Sequence, residues 1–318
     1  MMRDKAKVSK LGHTLRKNGR AYAFCYAMVA FAVIQFAVFY VWININSIVM
    51  AFQQYTGNAA DGTELYQWSF FQFDRLFREF SLPASQIAVA IRNTFLYFGA
   101  GVALVFICFF FSYFLYKKVW GYRFFRIIFY LPSIINAVVW VTVYRDLIQK
   151  YGPIYELLES WFGYELPALL SNVATATPTI IAFTVWTGLG VNMILYLGAM
   201  NRLPQEVIEA GELDGISWWR EMFSIVLPMI WPTVSTTLIL QCTQLFNSSG
   251  PILLFGTAGI PAGSYDTTTI SYWIFSATQA GNDLNFPAAM GLFFTLISFP
   301  IVLFIRWFFN KIDPDVEY

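Results

Sequence analysis

Long apolar runs constrain this chain more than any other feature. Six runs have the roughly 20 apolar residues that a helix needs to cross a bilayer, and their centres are almost free of charge. Only 12% of the 318 residues are charged, whereas a soluble domain carries about 25%. We therefore predict an all-α polytopic membrane protein with six transmembrane helices. The predicted spans are approximately 21–45, 93–116, 124–143, 178–200, 223–246 and 286–309.

Basic residues set the predicted orientation of these spans. Fifteen of the twenty Lys and Arg lie in the N-terminal tail, in two connections between spans and near the C-terminus, and five lie in the alternate loops. Cytoplasmic loops carry such an excess, so both chain ends are expected in the cytoplasm. The first run is too long for a signal peptide. The expected organisation is a basic tail (1–20), a first span with its outer loop (21–92), a five-span core (93–310) that contains a cytoplasmic loop (201–222), and a cytoplasmic C-terminus (311–318).

The outer loop 47–86 contains a candidate amphipathic helix. Aromatic residues recur at near-helical spacing from Phe70 to Phe80, around charged side chains. Such a helix could lie on the outer leaflet or pack as a cap over the bundle, and the pattern does not separate the two. A further short helix is predicted around Ile154 to Trp161.

The sequence lacks the residues that several kinds of chemistry require. No stretch has the spacing of a P-loop, and His13 is the only histidine. Cys25, Cys108 and Cys242 fall in separate apolar runs, which favours packing over a metal site or a disulfide. No basic patch interleaved with aromatics indicates nucleic acid. The uncharged span centres also argue against an ion-driven transporter. We expect no enzyme activity and no bound cofactor or metal, with energy supplied by a partner.

A short acidic segment separates the fourth and fifth spans. Pro204 suits the first turn of a helix, Glu206 lies near the positive end of the helix dipole, and Gly215 is a predicted stop. Ala210 and Gly211 are small enough for another surface to approach closely. The segment therefore predicts a docking helix.

Polar side chains form two stripes within the apolar runs. One comprises Thr237, Gln241, Gln244 and Ser248, and the other Thr184, Thr187, Gly188 and Asn192. Their spacing predicts one helix face each. These groups could hydrogen-bond sugar hydroxyls, or they could join helices to one another. Both interpretations stay open.

The acidic segment resembles the Glu-Ala-Ala loop of bacterial ABC importer permeases, the helix that docks on the ATP-binding subunit. The matching residues are Glu209, Ala210, Asp214, Gly215, Ile225, Leu227 and Pro228, with Gly211 where the family usually has alanine. With its six spans, the whole chain resembles the larger permease of carbohydrate importers of the maltose-transporter kind.

This resemblance implies a type I importer fold and transport by alternating access in a bacterial plasma membrane. The implied partners are a second permease subunit, a dimer of ATP-binding subunits that holds ATP and magnesium, an extracytoplasmic solute-binding protein and membrane lipid. Glu209, Ala210, Gly211, Asp214 and Gly215 would couple the ATPase to the spans. The solute contacts implied by the family are Thr184, Thr187, Gly188, Val191, Gln241, Gln244 and Ser248, and the stripe adds Asn192. The alternatives are a permease for a peptide or phosphonate, or a membrane protein outside this class.

Overall fold

A computed structural model describes residues 19–59, 61–82, 85–163, 169–170, 172–248, 250–257, 267–281 and 283–312. Most of the expected basic tail and the last six residues lie outside the described residues. The chain divides into two compact units, Met1–Gln72 and Phe73–Tyr318, and each is described by itself.

The first unit contains the first span and a small hairpin. The span is continuous from Tyr22 to Ala51, longer than predicted, and is built from α1 (Gly19–Phe36), a π-helical segment (Ala37–Trp42) and α2 (Ile43–Ala51). The antiparallel strands β1 (Gln53–Asn58) and β2 (Glu64–Trp68) follow. The sequence analysis predicted no strand here. The fold is therefore mostly helical, not all-α.

The second unit contains the remaining helices. In chain order they are α3 (Phe71–Phe80, which begins in the first unit), α4 (Gln86–Tyr116), α5 (Tyr122–Ile134), α6 (Ala137–Ile148), α7 (Pro153–Phe162), α8 (Val173–Met200), α9 (Gln205–Leu213), α10 (Trp218–Glu221), a π-helical segment (Met222–Val226), α11 (Leu227–Met229), α12 (Trp231–Thr243), α13 (Gly250–Thr257), α14 (Ile270–Ala280) and α15 (Asn285–Ile312). The short helix predicted near residue 154 is confirmed as α7.

Within the part of the chain that the structure describes, four helices are unbroken and long enough to cross a membrane, namely the first span, α4, α8 and α15. The predicted third and fifth spans are each bent instead. The third turns by 110° between α5 and the helical stretch after it, and the fifth by 76° between Met229 and Trp231. Proline lacks the N–H of a regular helix, and Pro228 and Pro232 flank the second bend. Counting each bent pair as one span gives the predicted six.

The main core lies where α4 packs against α8 and α12. Its largest fully buried side chains include Tyr113, Tyr196 and Met193. Small residues bring the helices close together. A Cβ atom on Gly190 of α8 would lie only 2.9 Å from the carbonyl oxygen of Phe129 in α5. Small residues at helix contacts are typical of membrane bundles.

From Phe73 onward, the helix α3 packs inside the second unit as a cap. Leu76 has no exposed surface and lies in a cluster with Ile87, Ile270 and Phe286. Nη1 of Arg75 lies 2.8 Å from Oδ2 of Asp283, and its guanidinium lies 4.1 Å from the centre of the Phe286 ring. These contacts decide between the two placements that the sequence left open, in favour of the cap.

Candidate functional site

The docking helix predicted from the acidic segment is α9. It begins after Pro204, carries Glu206 in its first turn, and its chain turns away at Gly215. Gly215 has a φ of +69°, the left-handed region in which glycine is favoured. The amide of Ile216 donates to the carbonyl of Gly211 at 3.1 Å and closes this turn. The predicted start and stop of the helix are confirmed.

The two faces of α9 differ. Ile208 and Gly211 are buried, and a Cβ atom on Gly211 would lie 3.2 Å from Cδ1 of Ile225. The glycine at this motif position therefore packs against the motif isoleucine. The opposite face exposes Glu209, Ala210 and Asp214, together with Leu213 at 89% exposure. An apolar side chain among acids on an open helix face suits contact with another protein.

A groove of about 420 Å³ lies beside the docking helix. Its described lining combines one acid, one base, one serine and two isoleucines, and comprises Asp214, Ile216, Arg220, Ser224 and Ile225. Motif residues from both ends of the acidic segment therefore meet at one surface.

Lys117 joins the docking helix to the bundle. It caps the C-terminus of α4, and its Nζ lies 2.7 Å from Oε1 of Glu212 in α9 and 2.7 Å from Oε1 of Glu221 in α10. Burial alone would lower the pKa of Lys117. The hydrogen bond to Glu212 and the charge of Glu221 outweigh burial and raise this pKa above its ordinary value of 10.5. The sequence analysis did not find this arrangement, because its members lie about a hundred residues apart.

A small cavity brings together three of the predicted solute contacts. It measures about 20 Å³, room for one water molecule, and none of its described lining residues is charged. These residues are Thr94, Tyr97, Phe98, Gln241, Gln244, Leu245, Ser248 and Thr269. The buried hydroxyl of Tyr97 has no hydrogen-bond partner among the described residues. Gln241, Gln244 and Ser248 therefore share one site with residues of α4.

The helix face predicted for the fifth span is only partly correct. The helix α12 ends at Thr243, Gln244 caps it, and Ser248 lies beyond the turn that follows. These two residues reach the cavity through the turn. Thr237 is buried instead, and its hydroxyl lies 2.6 Å from that of Tyr196 in α8. Thr237 joins helices, one of the two roles that the sequence left open.

The fourth-span candidates do not line this cavity. Thr184, Thr187 and Asn192 each donate a side-chain hydrogen bond to a carbonyl of their own helix. A Cβ atom on Gly188 would lie 2.6 Å from Cδ2 of Leu104, and Val191 is 58% exposed. Their assignment to the solute path stays a prediction.

Residues 109–318 match the family described as the binding-protein-dependent transport system inner membrane component. The chain belongs to this family. It is a permease subunit of a binding-protein-dependent ABC importer, a multi-pass inner membrane protein that transports a solute and does not catalyse a reaction.

Relatives of this permease carry the names of sugar importers and of a glycerol-3-phosphate importer. It is 26% identical over 317 residues to the arabinooligosaccharides transport system permease protein AraP of Halalkalibacterium halodurans, covering 95% of each chain. The maltose/maltodextrin permease protein MalF of Klebsiella aerogenes is 27% identical over 54% of this chain and 35% of its own. The sn-glycerol-3-phosphate permease protein UgpA of Escherichia coli O157:H7 is 27% identical over 62% of this chain and 65% of its own.

Solved structures share the fold of the permease. A bacterial ABC transporter involved in alginate import has a TM-score of 0.76 at 22% identity, over 96% of this chain and all of that one. The alginate transporter in complex with an alginate pentasaccharide-bound periplasmic protein has a TM-score of 0.75 at 23% identity, over 94% and 98% of the two chains. The predicted importer fold and the resemblance to carbohydrate permeases are confirmed.

Three polar residues of the cavity escaped the sequence analysis. Thr94, Tyr97 and Thr269 are single polar groups, and no repeat in the sequence marks them. Thr94 accepts a hydrogen bond from the amide of Ile270, and Thr269 donates one to the carbonyl of Ser248. A polar residue near a span end was the only available signal.

Proposed function

We propose that this permease imports a neutral sugar or oligosaccharide. The observation that carries the proposal is the cavity at Gln241 and Gln244, whose described lining offers hydroxyls, amides and aromatic rings but no charge. An anionic solute would call for Arg or Lys, which recognise phosphate and carboxylate groups. The names of the relatives AraP and MalF agree with a sugar. UgpA, named for a phosphorylated solute, supplies the competing candidate.

The proposal includes the assembly in which the permease works. A second permease subunit, a solute-binding protein and a pair of ATP-binding subunits complete the importer, with ATP and magnesium held by the last of these. Both chain ends lie in the cytoplasm of a bacterial cell. The exposed residues Glu209, Ala210, Asp214 and Gly215, supported by buried Gly211, form the ATPase contact.

The size of the cavity supports alternating access. At about 20 Å³ it cannot hold a sugar, so the described conformation is closed at this point of the path. Solute could reach Gln241 only after the spans move apart. Closure of the ATP-binding dimer would supply that movement through α9.

Ligand screening on the cognate solute-binding protein tests the choice of solute. We expect binding of neutral oligosaccharides, with arabino- and malto-oligosaccharides as the first probes, and uptake of the same sugars by the reconstituted importer. Glycerol 3-phosphate and short acidic oligosaccharides are the matched charged probes. Binding and uptake of charged probes alone would overturn the proposal.

The Gln241→Ala and Gln244→Leu variants test the site itself. A lost hydrogen bond costs about 0.5–1.5 kcal/mol, so we expect sugar uptake at limiting concentration to fall by roughly two- to tenfold. Thr237→Val is the control, because Thr237 contacts Tyr196 and does not line the cavity. Thr237→Val should lower the melting temperature of the complex and change sugar uptake little. Normal uptake with lowered melting in the Gln variants would assign these amides to helix contacts.

A further inference from the structure

Lys117 holds two carboxylates on either side of the turn at Gly215. Glu212 lies three residues before this glycine, in α9, and Glu221 lies six residues after it, at the end of α10. Both ion pairs measure 2.7 Å. We call Lys117, Glu212 and Glu221 the lysine bridge. It connects the docking helix with the end of α4, a different span from the one that follows in the chain.

The two arms of the bridge are unequal. The side chain of Glu221 is 4% exposed and that of Glu212 is 60% exposed. A buried carboxylate needs a fixed opposite charge, so the ion pair between Lys117 and Glu221 is explained by its contribution to the stability of the fold. An exposed ion pair contributes little to stability, so stability does not account for the arm to Glu212.

The helix α4 connects the lysine bridge with the cavity. It runs without a break from Gln86 to Tyr116, with Lys117 at one end and Tyr97 about 30 Å away along its axis, at 1.5 Å per residue. Thr94, Tyr97 and Phe98 of this helix line the cavity. A displacement of α9 that is passed to Lys117 therefore moves one wall of the cavity as a rigid body.

We propose that Lys117 is a positioning residue that transmits movement of the docking helix to α4 through Glu212. This inference rests on the proposed contact between α9 and the ATP-binding subunits. The span that follows α10 in the chain receives the movement directly through the backbone. The lysine bridge also connects the docking helix to α4, so both walls of the cavity respond when α9 moves.

The test measures how accessible the cavity is to a thiol reagent, so the solute need not be known. A cysteine at Ser248 is introduced in a Cys25→Ser background, and its reaction rate with a maleimide is measured on the purified complex with and without ATP and vanadate. In the otherwise unmodified complex, ATP should change this rate. Glu212→Gln should keep basal ATP hydrolysis and reduce the ATP-dependent change by about two- to fivefold, the range of an exposed ion pair.

Two lysine variants separate transmission from a general effect of charge. Lys117→Arg keeps the bridging charge and should retain most of the change, whereas Lys117→Met should lose it. Lys118→Met is the matched control, because exposed Lys118 forms no ion pair with any described residue. If Lys117→Met does not assemble, Glu212→Gln and Lys117→Arg still decide the question.

The outcomes are distinct. An unaltered ATP-dependent rate in Glu212→Gln, or an equal loss in Lys118→Met, would overturn the role of Lys117. A lowered melting temperature with an unaltered rate would make the bridge structural only. If the unmodified complex shows no response to ATP, the proposed function fails, and this inference falls with it.

Discussion

Two glycines of α4, two residues apart, have different surroundings. A Cβ atom built on Gly99 meets nothing within 4 Å. One built on Gly101 would collide with the amide nitrogen of Gln241 and lie 2.7 Å from its Cδ. Gly101 therefore leaves the space that the Gln241 side chain occupies at the edge of the cavity. This close approach fixes where the amide can lie.

The Gly101→Ala variant should act on Gln241 without changing it. The added methyl group displaces the amide, so we expect a loss of sugar uptake comparable to that of Gln241→Ala. Gly99→Ala is the matched control and should transport normally, since alanine is favoured over glycine in a helix by roughly 0.5–1 kcal/mol. Uptake and melting of both complexes are to be compared. Equal uptake by the two alanine variants would show that the position of Gln241 does not matter.

Sequence reasoning found part of the site for a physical reason. Gln241 and Gln244 stand out because amides are costly in an apolar run, whatever their neighbours. Tyr97 and Lys117 do not stand out, because a tyrosine and a lysine are ordinary at the ends of a span. Their importance depends on contacts with α12, α9 and α10, which lie far away in the chain. Local pattern carries no information on such contacts.

At the scale of elements, α3 shows how a charged amphipathic helix can belong to the bundle. Leu76 is fully buried, whereas Phe77, the next residue, is 53% exposed. Asp283 pairs with Arg75 and also accepts hydrogen bonds from the amides of Asn285 and Phe286 at the start of α15. The cap therefore holds the beginning of the last span.

The Leu76→Ala variant should destabilise the complex. Truncation of a buried leucine costs about 2–5 kcal/mol, and its cluster includes residues of α4, α14 and α15. Leu82→Ala, at a position that is 56% exposed, is the control and should melt like the unmodified protein. Thermal unfolding of the purified complexes measures both. A cap that rested on the leaflet would give the two variants similar melting temperatures.

Hydropathy located every span but missed both bends. Apolar length is the same for a straight and a bent segment, so 124–143 and 223–246 were each predicted as one helix. Pro228 and Pro232 were visible signals for the second bend. The hairpin of the first unit also had a signal, the Asp61-Gly62 pair, with Gly62 at a φ of +85°.

The length of α4 gives the distance between the two ends of the second unit. The helix has 31 residues and is therefore about 45 Å long. Its first turns contact Ile270 of α14, and its last residue precedes Lys117 and the docking helix. The structure thus places α14 and α9 at opposite ends of a span. The count of basic residues then predicts that α9 is at the cytoplasmic end.

Thiol labelling of intact cells tests this orientation. In a Cys25→Ser background, Gln279→Cys in α14 should react with an impermeant maleimide added outside. Ser217→Cys, beside α9, should react only after the membrane is opened. Both positions are exposed, so access to the reagent is the only difference between them. Reversed labelling would place the docking helix outside the cell and contradict the assigned orientation.

The bend in the fifth span limits how the permease can be turned within its membrane. Pro228 and Pro232 withhold two N–H groups that a straight helix would supply to carbonyl oxygens one turn earlier. In hydrocarbon, a carbonyl without a donor is costly, so irregular backbone occurs only against protein or water. The bend therefore favours an orientation in which this side of the subunit faces a neighbouring subunit or an aqueous space.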